Sequence, residues 1–432
     1  MIKTVSFRTV GCRLNRSETD SIQYELEMEG FKVVKNSVMA DLTVINSCVV
    51  TRQAEAKTRG AIAASKRISP EGKIAVVGCY SQLLSDQLLS FSHVDLVLGQ
   101  TEKYKIVNYL KYLNNGENKA FVQDIKDNDT FPPSGIISSG SRTRANVKIQ
   151  DGCNFKCSYC IVPTVRGAPR SREFNDSIVE IKRLSELGYK EVVLTGVNIG
   201  CYESSNGKSL SDLIEAILAK TGIDRLRLSS IEPNMITDNL LDILSSSRRI
   251  CSHLHISLQH GSDEILKAMH RKYTTTEYRE VVEKVADKMP GACIGADVIV
   301  GYPGESKETF QNMYDYIEDL QLTYLHVFRF SPRSGTAAYR LKDDVPEIVK
   351  KKRSNMLRNL SNEKRRIFIE GFIGRNLNVL LETRINSEYI KGYSDNYIKF
   401  KVRTEQDLEN TIVEARLVGI ENNIGLGEII SD

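Results

Sequence analysis

The chain has 432 residues, a formal net charge of +4 at pH 7 and a 41% apolar fraction. This is enough sequence for two or three domains with cores of their own, so disorder is not expected. No uninterrupted apolar stretch approaches the roughly 18 residues that cross a bilayer, and the opening MIKTVSFRTVGC does not resemble a signal peptide. The composition excludes a membrane-spanning protein, and the small net charge does not by itself indicate a nucleic-acid partner.

The first part of the chain alternates short β-type runs with helical segments. The runs are TVSFRTV, DLTVINS, KIAVVG and VDLVLG, and Gly30 is a plausible C-cap for the helical segment ETDSIQYELEMEG. This alternation predicts an open parallel α/β domain over residues 1–113. Residues 114–141 are polar and turn-rich, which predicts a linker.

The rest of the chain shows two further patterns. Six strand-like runs separated by helical stretches over residues 142–370 predict a partial (β/α)6 TIM-like barrel, and the runs are ANVKIQ, EVVLTGV, RLRLSSI, HLHISLQ, CIGADVIVG and YLHVFRF. Residues 371–432 contain short alternating strands with glycine turns, which predicts a small β-barrel. The expected fold class is therefore α/β, in three domains.

Three closely spaced cysteines carry the strongest chemical signal. Cys153, Cys157 and Cys160 have C-x3-C-x2-C spacing after the first barrel strand. In a reducing compartment this indicates a metal site more than disulfides, and a cubane with three protein ligands keeps one iron open for an exogenous ligand. The alternative is a structural zinc site, which would need a fourth ligand, and no convincing cysteine or histidine lies nearby in the sequence.

Three other cysteines each end an apparent strand of the first domain: Cys12, Cys48 and Cys79. The carboxyl ends of parallel strands lie together, so the fold can gather these thiols without a local motif. We predict a second open metal site there, with small buried core residues as the alternative. The remaining cysteines show no such grouping and are expected to be core thiols: Cys201, Cys251 and Cys293.

These segments resemble one known family. The runs TVGCRLN, NSCVVT, VGCYSQ and IQDGCNFKCSYCIVPTVRGAPRSR are similar to the cysteine motifs of the radical SAM (S-adenosylmethionine) methylthiotransferases. LTGVNIG, SSIEP, LQHGSDEILKAMHRKYT, DVIVGYPGE and HVFRFSPRSGT resemble the barrel of that family, and the tail resembles its TRAM-type β-barrel. The resemblance spans essentially the whole chain, and GVNIG with HVFRFSPRSGT favours the MtaB-type tRNA enzymes.

The resemblance implies the chemistry. Cys153, Cys157 and Cys160 would hold a 4Fe-4S cluster whose open iron binds SAM, and Cys12, Cys48 and Cys79 would hold a second 4Fe-4S cluster that delivers a methylated sulfur. The implied substrate is N6-threonylcarbamoyladenosine next to the tRNA anticodon, which becomes its 2-methylthio derivative. Implied partners are the tRNA anticodon arm, a flavodoxin- or ferredoxin-like electron donor and a sulfur donor. The implied location is the cytoplasm, without a membrane partner.

Further residues are candidates for binding SAM. Tyr159 resembles the family's aromatic residue near the adenine, and the other candidates lie at barrel strand ends or in a strand: Thr195, Gly196, Ser230, Glu232, Gln259 and Asp297. The alternative for each is a turn or cap residue. Ser257 and His260 stand where the family usually has proline and serine, which leaves the geometry of this loop open.

Basic residues are candidates for binding the substrate. The threonyl carboxylate needs an arginine partner, and four candidates are Arg166, Arg170, Arg329 and Arg333. In YIKFKVR, the period-2 pattern places the candidate phosphate contacts Lys399, Lys401 and Arg403 opposite a buried face. The basic helix at about 347–370 is more simply explained as a solvated face.

Three other functions fit parts of this pattern. A methylthiotransferase could act on isopentenyladenosine in tRNA or on an aspartate of a ribosomal protein, with both clusters unchanged. A zinc-stabilised RNA-binding protein would have no catalysis. A radical SAM enzyme with a merely structural first domain would hold a single cluster.

Overall fold

The computed structural model describes residues 2–127, 130–132 and 143–430. The chain separates into two compact units. The first unit comprises Met1–Ser138, Lys148–Arg172 and Arg333–Thr336, and the second comprises Ser139–Val147, Glu173–Pro332 and Ala337–Asp432. All six cysteines predicted to bind metal therefore belong to the first unit.

The first unit is built on one parallel sheet. Its strands are β1 (Thr4–Thr9), β2 (Lys32–Val33), β3 (Leu42–Ser47), β4 (Lys73–Gly78), β5 (Leu96–Leu98) and β6 (Lys119–Phe121). They pair in the order β2-β1-β3-β4-β5-β6, and every pair is parallel. Strand β3 is buried along its whole length, because helices cover both faces of such a sheet. The predicted open parallel α/β domain is confirmed.

The helices of this domain alternate with its strands. They are α1 (Arg13–Met28), α2 (Arg52–Ile68), α3 (Cys79–Leu83), α4 (Ser85–Leu89) and α5 (Leu110–Asn114), with a 3-10 helix at Glu102–Tyr109. Strand β6 lies inside the stretch predicted as a linker and extends the sheet beyond residue 113. The turn-rich residues 133–141 of that predicted linker lie outside the described residues, as do residues 128 and 129.

The segment around the second cysteine motif contains short elements. They are β7 (Arg144–Lys148), β8 (Gln150–Asp151), α6 (Val162–Arg166) and β9 (Arg170–Ser171). Strands β8 and β9 pair in antiparallel fashion and close the loop that carries Cys153, Cys157 and Cys160. The loop is therefore tied at its base in the first unit.

The second unit contains the partial barrel. Its further strands are β10 (Glu191–Thr195), β11 (Arg225–Leu228), β12 (Ser230–Ile231), β13 (His253–Ile256), β14 (Cys293–Val300) and β15 (Tyr324–Arg329). The helices are α7 (Phe174–Glu186), α8 (Leu210–Lys220), α9 (Asp238–Ser245), α10 (Asp263–Ala268), α11 (Thr275–Lys288), α12 (Lys307–Asp319) and α13 (Glu347–Glu370).

The sheet order shows how these strands form the barrel. One sheet runs β11-β10-β7 and the other β12-β13-β14-β15, and only Ser229 separates β11 from β12. Counting β11 and β12 as one interrupted strand gives six βα steps, so the predicted partial barrel is confirmed. Capping boxes at Ser209 and Thr274 satisfy the first amide groups of α8 and α11.

The second unit ends in a closed β-barrel. Its strands are β16 (Asn376–Arg384), β17 (Tyr389–Ser394), β18 (Lys399–Arg403), β19 (Ile412–Glu421) and β20 (Ile424–Ile429), in the order β16-β17-β18-β20-β19. The interior contains Ile398, Phe400 and Val402, as the alternation in the sequence predicted. Among the described residues, no helix combines the length and apolar character needed to cross a membrane.

Candidate metal and cofactor sites

Three adjacent strands of the first unit place the dispersed cysteines at one edge of the sheet. Cys12 is the N-cap of α1 after β1, Cys48 directly follows β3, and Cys79 directly follows β4. Burial raises the pKa of the Cys48 thiol to about 12, and the neighbouring thiols of Cys79 and Cys12 contribute to this rise. The three thiols therefore interact electrostatically. A Cβ at Gly11 would lie 3.0 Å from the Cβ of Cys48, so the chain needs glycine there. These three cysteines are the strand-end triad.

The thiols of the strand-end triad differ in exposure. Cys48 and Cys79 are buried, whereas Cys12 is exposed. The Cys12 thiol donates to Oδ1 of Asn15 at 3.2 Å, and the side-chain amide of Gln100 donates to Sγ of Cys79 at 3.2 Å. One exposed cysteine beside two buried cysteines fits a metal cluster that must bind a further ligand from solution.

The second cysteine motif is held by its own backbone. The amide of Phe155 donates to Sγ of Cys153 at 3.3 Å, and the amide of Cys160 donates to the carbonyl of Cys157 at 3.1 Å. Gly152 has φ +73°, and a Cβ there would lie 1.9 Å from the carbonyl oxygen of Ala168, so only glycine fits. Three thiols on one fixed loop, with an N–H donor to sulfur, fit an iron-sulfur cluster with three protein ligands. Cys153, Cys157 and Cys160 are the loop triad.

A buried group of charges occupies the interior of the first unit. Glu18 accepts from Lys103 at 2.7 Å, from Lys148 at 3.0 Å and from Arg166 at 2.7 Å. Asp151 pairs with Lys148 at 2.7 Å, with Arg166 at 2.9 Å and with Arg170 at 3.4 Å. Four cations thus meet two carboxylates, and we name these six residues the charge cluster.

The charge cluster keeps its carboxylates ionised and acts on Cys79. Burial tends to raise the pKa of Glu18, but Arg166, Lys103 and Lys148 hold it well below its usual value. Burial likewise raises the pKa of the Cys79 thiol, and Arg166 and Lys103 oppose this rise. The pKa of Cys79 still lies above its usual value, so these cations lessen the effect of burial on this thiol without cancelling it.

The sequence contained a signal for this group that our prediction did not use. Glu18 lies at four-residue spacing from Leu14 and Ile22, on the buried face of α1. A carboxylate on an apolar helical stripe must find partners inside the protein. The identity of those partners depends on distant segments, so the sequence alone did not provide it.

The structure separates the four arginines predicted to bind the substrate carboxylate. Arg166 and Arg170 are buried in the charge cluster, and Arg333 is buried in the first unit with Glu55 as its partner. These three already have protein carboxylates, which favours a structural role over the predicted one. Arg329, at the end of β15, is exposed and pairs with Glu347 at 3.0 Å.

In the second unit, four of the predicted SAM-binding residues come together near the ends of adjacent strands. The hydroxyl of Ser230 lies 2.9 Å from Nδ1 of His255, whose Nε2 lies 3.5 Å from Asp297. The amide of Gln259 donates to the carbonyl of Asp297 at 2.8 Å, and Glu232 pairs with Arg271. These contacts form a polar site on the second unit.

The electrostatics of this polar site differ between its two carboxylates. Burial tends to raise the pKa of Asp297, but His255, His326 and Arg271 hold it below its usual value. Burial raises the pKa of Glu232 despite the pairing with Arg271.

Our sequence prediction missed His255, His326 and Arg271. The strand pattern of HLHIS, with histidines two residues apart, and the arginine of the HRKYT motif were available signals.

Three other residues were predicted to contact SAM, and each is described by its own position in the fold. Thr195 is buried at the end of β10, where its hydroxyl donates to the carbonyl of Val193 at 3.1 Å, and Gly196 follows it. Tyr159 lies in the loop of the first unit and is partly exposed.

The two departures from the family pattern have well-defined contacts. The amide of Ser257 donates to the carbonyl of Ile231 at 3.3 Å, a contact that proline could not make. The ring of His260 is buried, accepts from the amide of Ser262 at 3.1 Å, and lies 3.2 Å from Glu305. Both residues therefore hold the loop after β13 in place.

The predicted basic stripe on the terminal barrel is partly neutralised. Lys399 and Lys401 are partly exposed and Arg403 is exposed, as the alternation predicted. Lys401 lies 3.6 Å from Glu421 and 4.4 Å from the ring centre of Tyr389. In the basic helix α13, Lys350 and Arg353 are buried in ion pairs with Asp343 and Glu305, so these two are structural.

Comparisons with known proteins agree with this architecture. Residues 147–317 match the family model described as the radical SAM superfamily, and residues 4–99 match the one described as uncharacterized protein family UPF0004. The threonylcarbamoyladenosine tRNA methylthiotransferase MtaB of Bacillus subtilis is 34% identical over 423 residues, covering 96% of this chain and 94% of that protein. The chain belongs to the radical SAM tRNA methylthiotransferases of MtaB type.

Other relatives of this family show the same breadth of similarity. The MtaB protein of Aquifex aeolicus is 36% identical and covers 92% of this chain and 96% of that protein. A tRNA-2-methylthio-N(6)-dimethylallyladenosine synthase from Acetivibrio thermocellus is 31% identical, over 96% of this chain and 88% of that protein.

Among solved structures, the fold is similar to that of the radical S-adenosylmethionine methyltransferase TsrM from Kitasatospora setae. The TM-score is 0.55 and the identity 14%, over 76% of this chain and 75% of that one. As a radical SAM enzyme, the protein uses S-adenosylmethionine and 4Fe-4S chemistry, and two such clusters are typical of its family.

Proposed function

We propose that this enzyme converts N6-threonylcarbamoyladenosine next to the tRNA anticodon to its 2-methylthio derivative, in two SAM-dependent steps and with two 4Fe-4S clusters. One observation carries the proposal: the first unit gathers two separate cysteine triads, one at three adjacent strand ends and one on a fixed loop. The names of the MtaB relatives support the threonylcarbamoyl substrate.

The loop triad and the strand-end triad receive different roles in this proposal. Cys153, Cys157 and Cys160 hold the cluster that presents an open iron to SAM, and Cys12, Cys48 and Cys79 hold the cluster involved in sulfur transfer. When bound, the clusters supply the one-electron chemistry needed at an adenine carbon that carries only hydrogen. The protein holds the ligands apart on separate elements and supplies counter-charge from the charge cluster.

The polar site of the second unit is the proposed SAM pocket. Glu232 and Asp297 offer carboxylates to the cationic groups of SAM, and Ser230 and Gln259 offer neutral contacts. We also assign Tyr159, Thr195 and Gly196 to SAM, and these assignments rest on their positions in the sequence motifs.

The proposed substrate contacts lie on the second unit. Arg329 is the exposed arginine among the four candidates, and its surface pair with Glu347 is weak enough to exchange for the threonyl carboxylate. Lys399, Lys401 and Arg403 are assigned to phosphates of the anticodon arm.

Two further partners follow from the chemistry. Reductive cleavage of SAM consumes an electron, so a flavodoxin- or ferredoxin-like protein must deliver it. Each turnover also removes a sulfur atom, so a sulfur donor must replace it.

The experiment that tests this function supplies reconstituted enzyme with SAM, reductant and three forms of one tRNA. Position 37 carries threonylcarbamoyladenosine, isopentenyladenosine or unmodified adenosine, and the nucleosides are measured by mass spectrometry. We expect the methylthio product with the threonylcarbamoyl form alone. A product from the isopentenyl form alone would assign the other tRNA substrate, and no tRNA product would point to a ribosomal-protein aspartate.

A further inference from the structure

One thiol of the strand-end triad accepts a hydrogen bond from a side-chain amide, and the other two do not among the described residues. The side-chain amide nitrogen of Gln100 donates to Sγ of Cys79 at 3.2 Å, inside the first unit. Gln100 is 5% exposed and follows β5, the strand beside β4. A fourth strand end therefore contributes a polar contact to the edge that carries the thiols.

The orientation of the Gln100 amide is fixed by Lys103. The ammonium of Lys103 donates to the amide oxygen of Gln100, and an ammonium can only donate. The oxygen must therefore face Lys103, which leaves the NH₂ group to face the sulfur. The reverse orientation would place two donors against each other, so the contact with Cys79 is an N–H···S hydrogen bond.

Lys103 is in turn held by Glu18. The Lys103 side chain is fully buried, and its ammonium lies 2.7 Å from Oε2 of Glu18. Glu18 also accepts from Arg166 and Lys148, so it cannot move towards Lys103 without weakening other ion pairs. Glu18, Lys103, Gln100 and Cys79 thus form one buried chain of contacts.

The other two thiols have different surroundings. Cys12 is exposed and donates to Asn15, and the largest effect lowering the pKa of Cys48 is the backbone amide of Val50. Among the described residues, only Cys79 of this triad accepts from a side-chain amide, and that amide is itself held by Lys103 of the charge cluster. Hydrogen bonds to sulfur and local net charge are two means by which a protein adjusts the potential of an iron-sulfur cluster.

We propose that Gln100, fixed by Lys103 and Glu18, is a positioning residue that raises the reduction potential of the cluster on Cys12, Cys48 and Cys79. The inference rests on the proposed function, which assigns a cluster to these cysteines. Reduction adds one negative charge, and an N–H donor with nearby cations stabilises that charge. The loop triad has a donor of its own, because the backbone amide of Phe155 donates to Sγ of Cys153.

The test uses protein in which Cys153, Cys157 and Cys160 are replaced by alanine, so that one cluster remains. In this background we compare Gln100→Leu, which removes the donor, and Gln100→Glu, which keeps the volume and the contact with Lys103. Gln23→Glu on α1 is the control, because it introduces the same charge in the same unit. The midpoint potential is measured by anaerobic dithionite titration followed by electron paramagnetic resonance.

The expected result is a lower midpoint potential for both Gln100 variants and no shift for the control. Removal of one hydrogen bond should reduce the equilibrium constant for one-electron reduction about three- to tenfold. Tenfold corresponds to about 59 mV for a one-electron couple, and the glutamate variant should shift further than the leucine variant.

Two outcomes would overturn the inference. The first is an unchanged midpoint potential in both variants, and the second is loss of iron from both, which would make Gln100 a residue for cluster retention. Absence of iron in the triple-alanine background itself is a separate result, because it contradicts the proposed cluster and not the role of Gln100.

Discussion

The two cysteine triads lie in the same unit but are assembled in opposite ways. The loop triad comes from eight consecutive residues, 153–160, on a loop closed by β8 and β9. The strand-end triad comes from three strands that are far apart in sequence and adjacent in the sheet. In the strand-end triad, burial raises the pKa of the Cys79 thiol, and Arg166 and Lys103 of the charge cluster offset only part of that rise. The geometry of the loop triad is therefore set by one short segment. The geometry of the strand-end triad depends on the packing of the whole sheet and on the buried residues around it.

The largest effect should come from removing the central cation of that interior. Arg166→Met leaves Glu18 and Asp151 short of a buried partner and should cost about 3 to 5 kcal/mol of stability in the first unit. Hydrogen exchange of amides in β3 and β4 measures this destabilisation. Arg329→Met, which breaks an exposed pair, should cost less than about 1 kcal/mol. Equal protection in the two variants would contradict the account of the charge cluster.

A buried ion pair in the second unit tests whether the large loss of stability on breaking a buried ion pair is specific to the first unit. Glu191 and Arg227 are both fully buried and lie 2.7 Å apart. Glu191→Gln should cost about 2 kcal/mol, because Arg227 keeps acceptors at the carbonyl groups of Ser394 and Asp395. Denaturant unfolding measures the change. Iron bound by both triads should stay at the wild-type level, and a lower iron content would show that the contrast between the two units is wrong.

The basic stripe of the terminal barrel should affect tRNA binding without affecting either triad. Replacing Lys399 and Arg403 with glutamine should flatten the dependence of log affinity on log salt by about 0.7 to 0.9 for each phosphate that is no longer neutralised. The measurement is tRNA binding at several salt concentrations. Lys284→Gln, an exposed lysine on α11, is the matched control and should leave the slope unchanged. The same slope in all three proteins would remove the stripe from the binding surface.

The smallest expected effect is on the pH dependence of stability, and it follows from a comparison of two carboxylates on helix α1. Cations hold the pKa of Glu18 low, whereas burial and the neighbouring Glu29 raise the pKa of Glu25 to about 7. The folded protein therefore binds a proton at Glu25 more tightly than the unfolded chain does, and stability should fall as pH rises from about 4.5 to about 7.

Glu25→Gln should remove that fall, with a gain of about 1 kcal/mol or less at pH 7.5 because solvent screens the half-buried group. Denaturant midpoints at pH 4.5 and 7.5 measure the gain. A gain of equal size at both pH values would show that the charge of Glu25 is not its cause.

The sequence predicted elements more fully than it predicted contacts. Strand and helix periodicity correctly indicated the parallel sheet, the six βα steps and the terminal barrel. Buried faces of helices and strands produce apolar residues at regular spacing in the sequence. Strand β6 was missed, since its three residues, Lys119–Phe121, are too short for a period to show.

No comparable sequence pattern indicates which residues pair with a buried charge. Arg166 and Arg170 were predicted from their motif as partners of the substrate carboxylate, and the sequence did not indicate that Arg166 contacts Glu18, 148 positions away. The same limit applies to His255 and His326, which meet Asp297 only because β13, β14 and β15 are neighbours.

We propose above all that the first unit holds two clusters on two independent triads. The most direct measurement is anaerobic iron and sulfide quantification in wild type and in two triple-alanine variants, one for each triad, with Cys201→Ala as a control in the second unit. We expect about eight irons in wild type and the control, and about four in each triple variant. About four irons in wild type, with no decrease when Cys12, Cys48 and Cys79 are replaced, would contradict it.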